Sequence, residues 1–130
     1  MQAVYYRDSD GNEPVLDFLD TLTDRKRVVI DNQPERLNMV QPKDPPLPEP
    51  WTSQIEGELR EFRAHYGEEH YRVLYRRSGN LFVLLHALRK TTRTVPRGEV
   101  AVAQARWADF KRRMDSARRV PPRAAGHDAP

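Results

Sequence analysis

The chain has 130 residues, 38% hydrophobic and 32% charged, which suits one soluble globular domain with a single modest core. It has no cysteine, no apolar run near the roughly 20 residues of a membrane span and no secretory signal pattern, so we expect a cytoplasmic protein without disulfides, cysteine zinc sites or a membrane partner. Residues 1–57 hold 6 Lys and Arg against 11 Asp and Glu, whereas residues 58–119 hold 15 against 7. This asymmetry favours a polyanion as partner of the second half, with a solvated surface of arginine-rich helix ends as the alternative.

The first 40 residues predict one strand and two helices. Residues 3–7 are rich in strand formers, and Pro14 suits the first turn of a helix that runs to about Thr23. A second helix follows, in which Pro34 is expected to cause a kink or a restart near Gln33. The apolar residues of the two helices recur at helical spacing: Val15, Phe18, Leu19 and Leu22 in the first, and Val29, Ile30, Leu37 and Val40 in the second.

A connector rich in proline follows. Residues 41–50 contain five prolines, which excludes a helix or a central strand there. We expect an extended loop that crosses the domain and is anchored by Trp51; a ligand of SH3-type domains is the alternative.

The remaining elements are three strands and a closing helix. Residues 55–63, 71–77 and 81–88 predict an antiparallel meander. Helical spacing relates Val100, Ala103, Trp107, Phe110 and Met114 in the last element. The predicted fold class is therefore α+β, with a domain over residues 1–114 and a disordered tail over residues 115–130.

The predicted strands bring charged residues together. If residue 63 pairs with residue 71, Glu58 faces Arg76; a three-residue connection over residues 78–80 then places His86 opposite Arg72. Arg72 is expected on the open face of the sheet, where an alanine would leave no core cavity. The predicted basic face consists of even-numbered residues and of the residues that follow the last strand: Glu58, Arg60, Arg72, Arg76 and His86, then Arg89, Lys90 and Arg93.

These residue types suit RNA cleavage by the ribose 2′-hydroxyl. The reaction needs a base, cations for the phosphorane charge and an acid for the leaving oxygen, and requires neither a metal nor another cofactor. The alternative is structural: Glu58 and Arg76 form an ion pair, and His86 is a satisfied core histidine. His65, Glu68, Glu69 and His70 are weaker candidates, as metal ligands without a clear fourth partner. Trp107 and Phe110 are expected in the core rather than stacked on bases.

Several segments, by their sequence, order and spacing, resemble a known family. PVLDFL, GELREFR, YRVLYRR, LFVLLHALRKTTRTVP and EVAVAQARWADF are similar to the phage-derived, HigB-like branch of the RelE/ParE toxin superfamily, over about residues 13–110. The resemblance implies a compact RelE-like fold, in which two N-terminal helices and one C-terminal helix pack around an antiparallel sheet. It also implies the toxin of a type II toxin–antitoxin pair, a ribosome-dependent mRNA endoribonuclease that arrests growth.

The resemblance implies partners and site residues too. A neighbouring helix-turn-helix antitoxin of the HigA-like type would silence the toxin in a hetero-oligomer. From the charges we expect it to contact the acidic half, the basic face or both, and to inhibit by covering the basic face. Arg72 matches the phosphate-holding arginine, Arg89 and Lys90 match a basic pair, and His86 matches the histidine of "LLH".

The chain departs from the family pattern at one point. The catalytic tyrosine that several relatives carry after the basic pair is missing, which leaves His86 as the candidate for proton transfer. Two alternatives stay open, a non-enzymatic ParE-like gyrase inhibitor and an inactive prophage remnant that only binds its antitoxin.

Overall fold

The structure is a computed structural model that describes residues 1–116, 118 and 123–125. These residues form the predicted α+β fold, a five-stranded sheet with three helices. In chain order the elements are β1 (Gln2–Tyr5), α1 (Pro14–Asp20), α2 (Asp24–Asn38), β2 (Thr52–Glu56), β3 (Leu59–Tyr66), β4 (Glu69–Ser78), β5 (Leu81–Lys90) and α3 (Arg97–Met114). No helix of the described ranges has the length and apolar character needed to cross a bilayer.

The sheet has the strand order β1-β5-β4-β3-β2. β1 runs parallel to β5 and all other neighbours are antiparallel, so the expectation of a purely antiparallel sheet is wrong for this pair. The prediction of one strand over residues 55–63 is also wrong, because the chain turns between Glu56 and Leu59. Gly57, at a φ of 54°, permits this tight turn and marks the hairpin that the alternating pattern concealed.

Helices cover both faces of the sheet. The α3 face packs on α3 through Leu59, Leu74, Val83, Leu85, Val100, Ala103 and Phe110. The α1/α2 face packs on the first two helices through Val15, Leu19, Ile30, Leu37, Phe62, Val73, Tyr75 and Leu84. The apolar stripes predicted for all three helices are thereby confirmed, with Phe18, Leu22, Val29, Trp107 and Met114 partly buried beside them.

The second helix does not restart at its proline. α2 is continuous from Asp24 to Asn38, and the Thr23 side chain caps its start by accepting a hydrogen bond from the Lys26 amide. Pro34 lies one turn before the end and removes one backbone hydrogen bond, while the buried side chains of Ile30 and Leu37 hold both sides of it to the sheet.

The proline-rich connector lies over the α1/α2 side. Leu47 packs on that core, and its carbonyl accepts hydrogen bonds from Thr52 and Arg60. Trp51 was expected to anchor this segment, but its side chain is 38% exposed. Leu47 is therefore the anchor, and Trp51 presents part of its ring to solvent.

The strand register differs from the predicted one. β3 and β4 pair Arg63 with Arg72, and β4 and β5 pair Leu74 with His86. The turn between β4 and β5 contains only Gly79 and Asn80, which by itself would move His86 to the other face. A β-bulge beside Leu74 adds one residue and turns His86 back to the α3 face, which it shares with Arg72. The residue opposite Arg72 is Leu88, not His86.

Part of the predicted tail packs on the fold. Ala124 and Ala125 are buried, Ala125 pairs with Tyr6, and the Ala124 carbonyl accepts a hydrogen bond from the Arg7 amide at 2.8 Å. Disorder is therefore the wrong expectation for these two residues. For residues 117, 119–122 and 126–130, the prediction lies outside the described residues.

One buried hydrogen bond links the start of the chain to α3. The Tyr6 hydroxyl donates to Asp109 at 2.6 Å, and Arg113 donates to the same carboxylate at 2.9 Å. Burial alone would raise the pKa of Asp109, but these two hydrogen bonds more than offset it, so its pKa lies below the ordinary value.

We expect Tyr6→Phe to lower the free energy of unfolding by about 1.5–3 kcal/mol at pH 7, the range for a hydrogen bond to a charged group. The Asp109 carboxylate contributes stability above its unfolded pKa of about 3.9, and this contribution is lost as the pH falls through its lower folded pKa. The difference between variant and wild type should therefore shrink in acid. Urea unfolding at pH 7 and pH 3 measures it, with Tyr5→Phe as control; an equal loss at both pH values would contradict the assignment.

Candidate functional site

Two adjoining hollows form a basic groove at one end of the sheet. The strand-end hollow, of about 480 Å³, is lined by Glu68, His70, Arg72, Arg89, Lys90, Thr91 and Thr92. The helix-side hollow, of about 650 Å³, is lined by Val29, Asn32, Gln33, Arg36, Pro50, Trp51, Arg63, Ala64, His65, His70 and Arg72. His70 and Arg72 belong to both, so they form the wall where the hollows meet.

Strand pairing explains why these residues meet. β4 begins where the antiparallel β5 ends, and the register pairs His70 with Lys90, and Tyr71 with Arg89. On the other side of β4, Arg63 pairs with Arg72. Residues far apart in the chain therefore share one end of the sheet because strand neighbours are about 5 Å apart.

Arg72 is held rigidly at the centre of the groove. It is 8% exposed, its Nη1 donates to the Tyr71 carbonyl at 3.0 Å, and its Nε lies 3.5 Å from Oε1 of Glu61. Burial lowers the pKa of Arg72 and the charge of Glu61 opposes this shift, yet an arginine remains a cation throughout the physiological range. The expectation that Arg72 projects from an open face is wrong, since its side chain is buried beside Glu61.

Glu61 is the buried counter-charge of this arrangement. Its side chain is 5% exposed, lies 3.4 Å from Nε of Arg63 and accepts a hydrogen bond from Ser53 at 2.9 Å. Oε2 of Glu61 and Nε of Arg72 are buried without a hydrogen-bond partner. The cluster is thus tightly placed but incompletely satisfied, so removal of one charge should be costly.

Lys90 lies at the rim of the same charge cluster. Burial lowers its pKa below the ordinary value, the positive charges of Arg72 and Arg63 lower it further, and Glu61 opposes them. A lysine whose charged form is destabilised gives up its proton more readily, which favours a role as proton donor. Of the predicted site residues, Arg72 and Lys90 both line the strand-end hollow, and the charge of Arg72 acts on Lys90.

The structure separates His86 from this group. Its Nε2 is hydrogen-bonded to Glu99, and its Nδ1 accepts from Nη1 of Arg106 at 2.9 Å, which assigns the imidazole proton to Nε2. Arg106 also donates to the Leu85 carbonyl at 2.9 Å. Both ring nitrogens are therefore hydrogen-bonded to side chains of α3. His86 lines neither hollow.

Glu58 and Arg76 form the predicted ion pair, at 2.9 Å, but outside the groove. Glu58 lies in the turn before β3, and the Arg76 guanidinium lies over the Trp107 ring, 4.4 Å from its centroid. Trp107 in turn stacks on Phe110, in the core as expected. These contacts of Glu58, Arg76 and Trp107 connect the sheet to α3.

Arg60 lies on the other side of the sheet. It donates to Thr52 at 2.9 Å and lines a cavity of about 350 Å³ beneath the connector. The prediction that it shares a face with Arg72 is wrong, because in the observed register the odd-numbered residues of β3 face α3.

Arg89 and Arg93 differ in position. Arg89 lines the strand-end hollow with a side chain 57% exposed, 3.5 Å from Glu69. Arg93 is exposed in the loop after β5 and lines neither hollow.

Sequence reasoning missed several groove residues: Arg36, Trp51, Arg63, His65 and His70. His70 was considered only as a metal ligand, because its pairing with Lys90 depends on the observed register. Within the described ranges, no three His, Asp or Glu side chains are grouped so that they could hold a metal ion.

Comparison with known proteins gives one match. The family model described as "Phage derived protein Gp49-like" matches residues 17–108, which include α2, all of β2 to β5 and most of α3. No curated protein matches the chain.

We expect Arg72→Met to lower the free energy of unfolding by about 3–5 kcal/mol, because it removes the more deeply buried of the two cations that lie beside the buried Glu61 carboxylate. The double variant Arg72→Met/Glu61→Leu should recover much of this loss. Urea unfolding measures both, and exposed Arg93→Met serves as the matched control with little effect. A double variant as unstable as the single one would show that the ion pair is not the cause.

Proposed function

Because the chain belongs to the phage-derived Gp49-like family, a family associated with RelE/HigB-like toxins, we propose that it is the toxin of a type II toxin–antitoxin pair of the HigB branch. Its activity is the cleavage of mRNA on the translating ribosome. The observation that carries this proposal is the basic groove, where a fixed guanidinium, a lysine of lowered pKa and an exposed imidazole all line the strand-end hollow.

The groove supplies each part of a transesterification. Arg72 contacts the scissile phosphate and stabilises the charge that develops on the phosphorane. His70 accepts the proton of the ribose 2′-hydroxyl as its oxygen attacks phosphorus, and Lys90 gives a proton to the departing 5′-oxygen. The products are a 2′,3′-cyclic phosphate and a 5′-hydroxyl. His70 takes the role first expected of His86, because its ring is exposed beside Lys90.

The same groove suits an inhibitory partner. A HigA-like helix-turn-helix antitoxin that lays an acidic segment over Arg72, Arg89 and Lys90 would compete directly with RNA phosphates. Arg76 contributes less than expected from the sequence, since Glu58 and Trp107 already engage it.

Translation-coupled cleavage is the decisive test of the proposed function. A purified reporter mRNA should be cut by the wild-type chain when ribosomes translate it and remain intact when they do not. Gyrase supercoiling is assayed in parallel with the same preparation. Inhibited supercoiling with intact mRNA would establish the gyrase-directed alternative, and inactivity in both assays would favour an inactive remnant.

The pH dependence of cleavage tests Lys90. If it donates a proton, the rate falls as the pH rises through its pKa, and the lowered pKa moves this fall below that of an ordinary lysine. Lys90→Arg keeps the charge but cannot lose its proton, so its rate should be about 10²–10⁴ lower and the alkaline fall absent. Single-turnover cleavage on preformed ribosome complexes gives both profiles; an unchanged alkaline fall in Lys90→Arg excludes Lys90 as the acid.

His86→Leu separates structure from chemistry. Loss of its bonds to Glu99 and Arg106 should cost about 1–3 kcal/mol of stability. Cleavage at a temperature where the variant is fully folded should stay within a few fold of wild type. Thermal melting and cleavage are measured on the same preparation. Lost cleavage at an unchanged melting temperature would instead return the catalytic role to His86.

A further inference from the structure

Apart from His70 and Arg72, the residues of the helix-side hollow have no role in the transesterification described above. It opens beside Arg72, extends past the edge of β3 and reaches α2. Its volume, about 650 Å³, falls within the range of about 300–1,000 Å³ that is usual for small-ligand sites. We propose that it is a subsite for a base of the bound RNA, which stacks on the ring of Trp51; this inference rests on the proposed function.

Trp51 provides the stacking surface. Trp51 is 38% exposed, and the Arg36 guanidinium lies over its ring, 4.8 Å from the centroid. An exposed tryptophan paired with an arginine is a common platform for single-stranded nucleic acid, because every base has a π-face. The anchoring of the connector does not account for this exposure, since Leu47 anchors it.

The remaining lining matches a nucleotide. It includes three arginines and two histidines and no carboxylate. Asn32 and Gln33 add amide groups that can both donate to and accept from base edges. The lining therefore combines positive charge, an aromatic ring and amides, the combination that recognises single-stranded RNA rather than a simple polyanion.

The position of Arg72 sets how the bound RNA would lie in the groove. Since Arg72 belongs to both hollows, a phosphate bound there has the strand-end hollow on one side and the helix-side hollow on the other. A nucleotide adjacent to the cleaved bond would thus reach Trp51 while the reacting ribose lies near Lys90. The subsite would hold the RNA in register with the chemistry.

Tryptophan fluorescence tests the subsite without cleavage. The chain has two tryptophans, and Trp107 lies on α3 under Arg76, outside both hollows. Trp107→Phe therefore leaves Trp51 as sole reporter, and Trp51→Phe leaves Trp107 as the matched control. The probe is a short 2′-O-methyl RNA, which cannot be cleaved at its 2′-oxygens. We expect saturable quenching in Trp107→Phe and none in Trp51→Phe.

Affinity provides the second readout. Trp51→Ala should bind this RNA roughly 5- to 150-fold more weakly, the range for loss of one stacked base. The variant keeps the backbone bond from the Arg63 amide to the Trp51 carbonyl, and Trp51→Leu repeats the test with an apolar side chain of larger size. For an RNA analogue without bases, wild type and Trp51→Ala should bind equally.

The outcomes separate this inference from the proposed function. Equal RNA affinity of wild type and Trp51→Ala, or equal quenching of Trp51 by polyglutamate, overturns the base subsite even if the wild type cuts mRNA. Quenching and weakened binding with no cleavage on ribosomes support the subsite and refute the nuclease assignment.

Discussion

Helices pack on both faces of the five-stranded sheet, and this arrangement decides where charged side chains can lie in the rest of the structure. A charged or polar side chain that projects from either face is largely shielded from water, so its polar atoms need partners within the protein. Arg60, Arg76 and His86 are each held in this way, by the Leu47–Thr52 segment, by Glu58 with Trp107 and by the Glu99–Arg106 pair of α3. Basic side chains reach solvent at the end of the sheet, where neither hollow is lined by a residue of α3.

The same cover gives the groove its electrostatic character. Glu61 is too deeply buried to be screened by water, so it holds Arg72 and Arg63 at fixed positions. Those cations, together with burial, lower the pKa of Lys90 at the rim. One buried carboxylate therefore positions the cations that flank the proton donor of the proposed site, so the proposal predicts that stability and activity are coupled there.

The two hollows divide the proposed work. The strand-end hollow has the groups for proton transfer, and the helix-side hollow has an aromatic ring, arginines and amides. Their shared wall at His70 and Arg72 allows one RNA strand to occupy both. The absence of the family's tyrosine after the basic pair is then compatible with activity, because an imidazole on β4 lies opposite Lys90.

The sequence alone determined the order of most elements and the apolar stripes of all three helices, because these follow from local periodicity, and motif order singled out Arg72 and Lys90 as candidates. It concealed the fifth strand, since alternation continues on both sides of the turn at Gly57. Only the tertiary structure decided which charges meet. The register depends on a two-residue turn and a β-bulge, each of which shifts the side chains of β5 to the opposite face, so that the two shifts cancel. The helices that pack on both faces decide which side chains remain accessible. For that reason His86 is bonded to α3, while His70 and Trp51, which the sequence suggested only as a metal ligand and a loop anchor, line the groove.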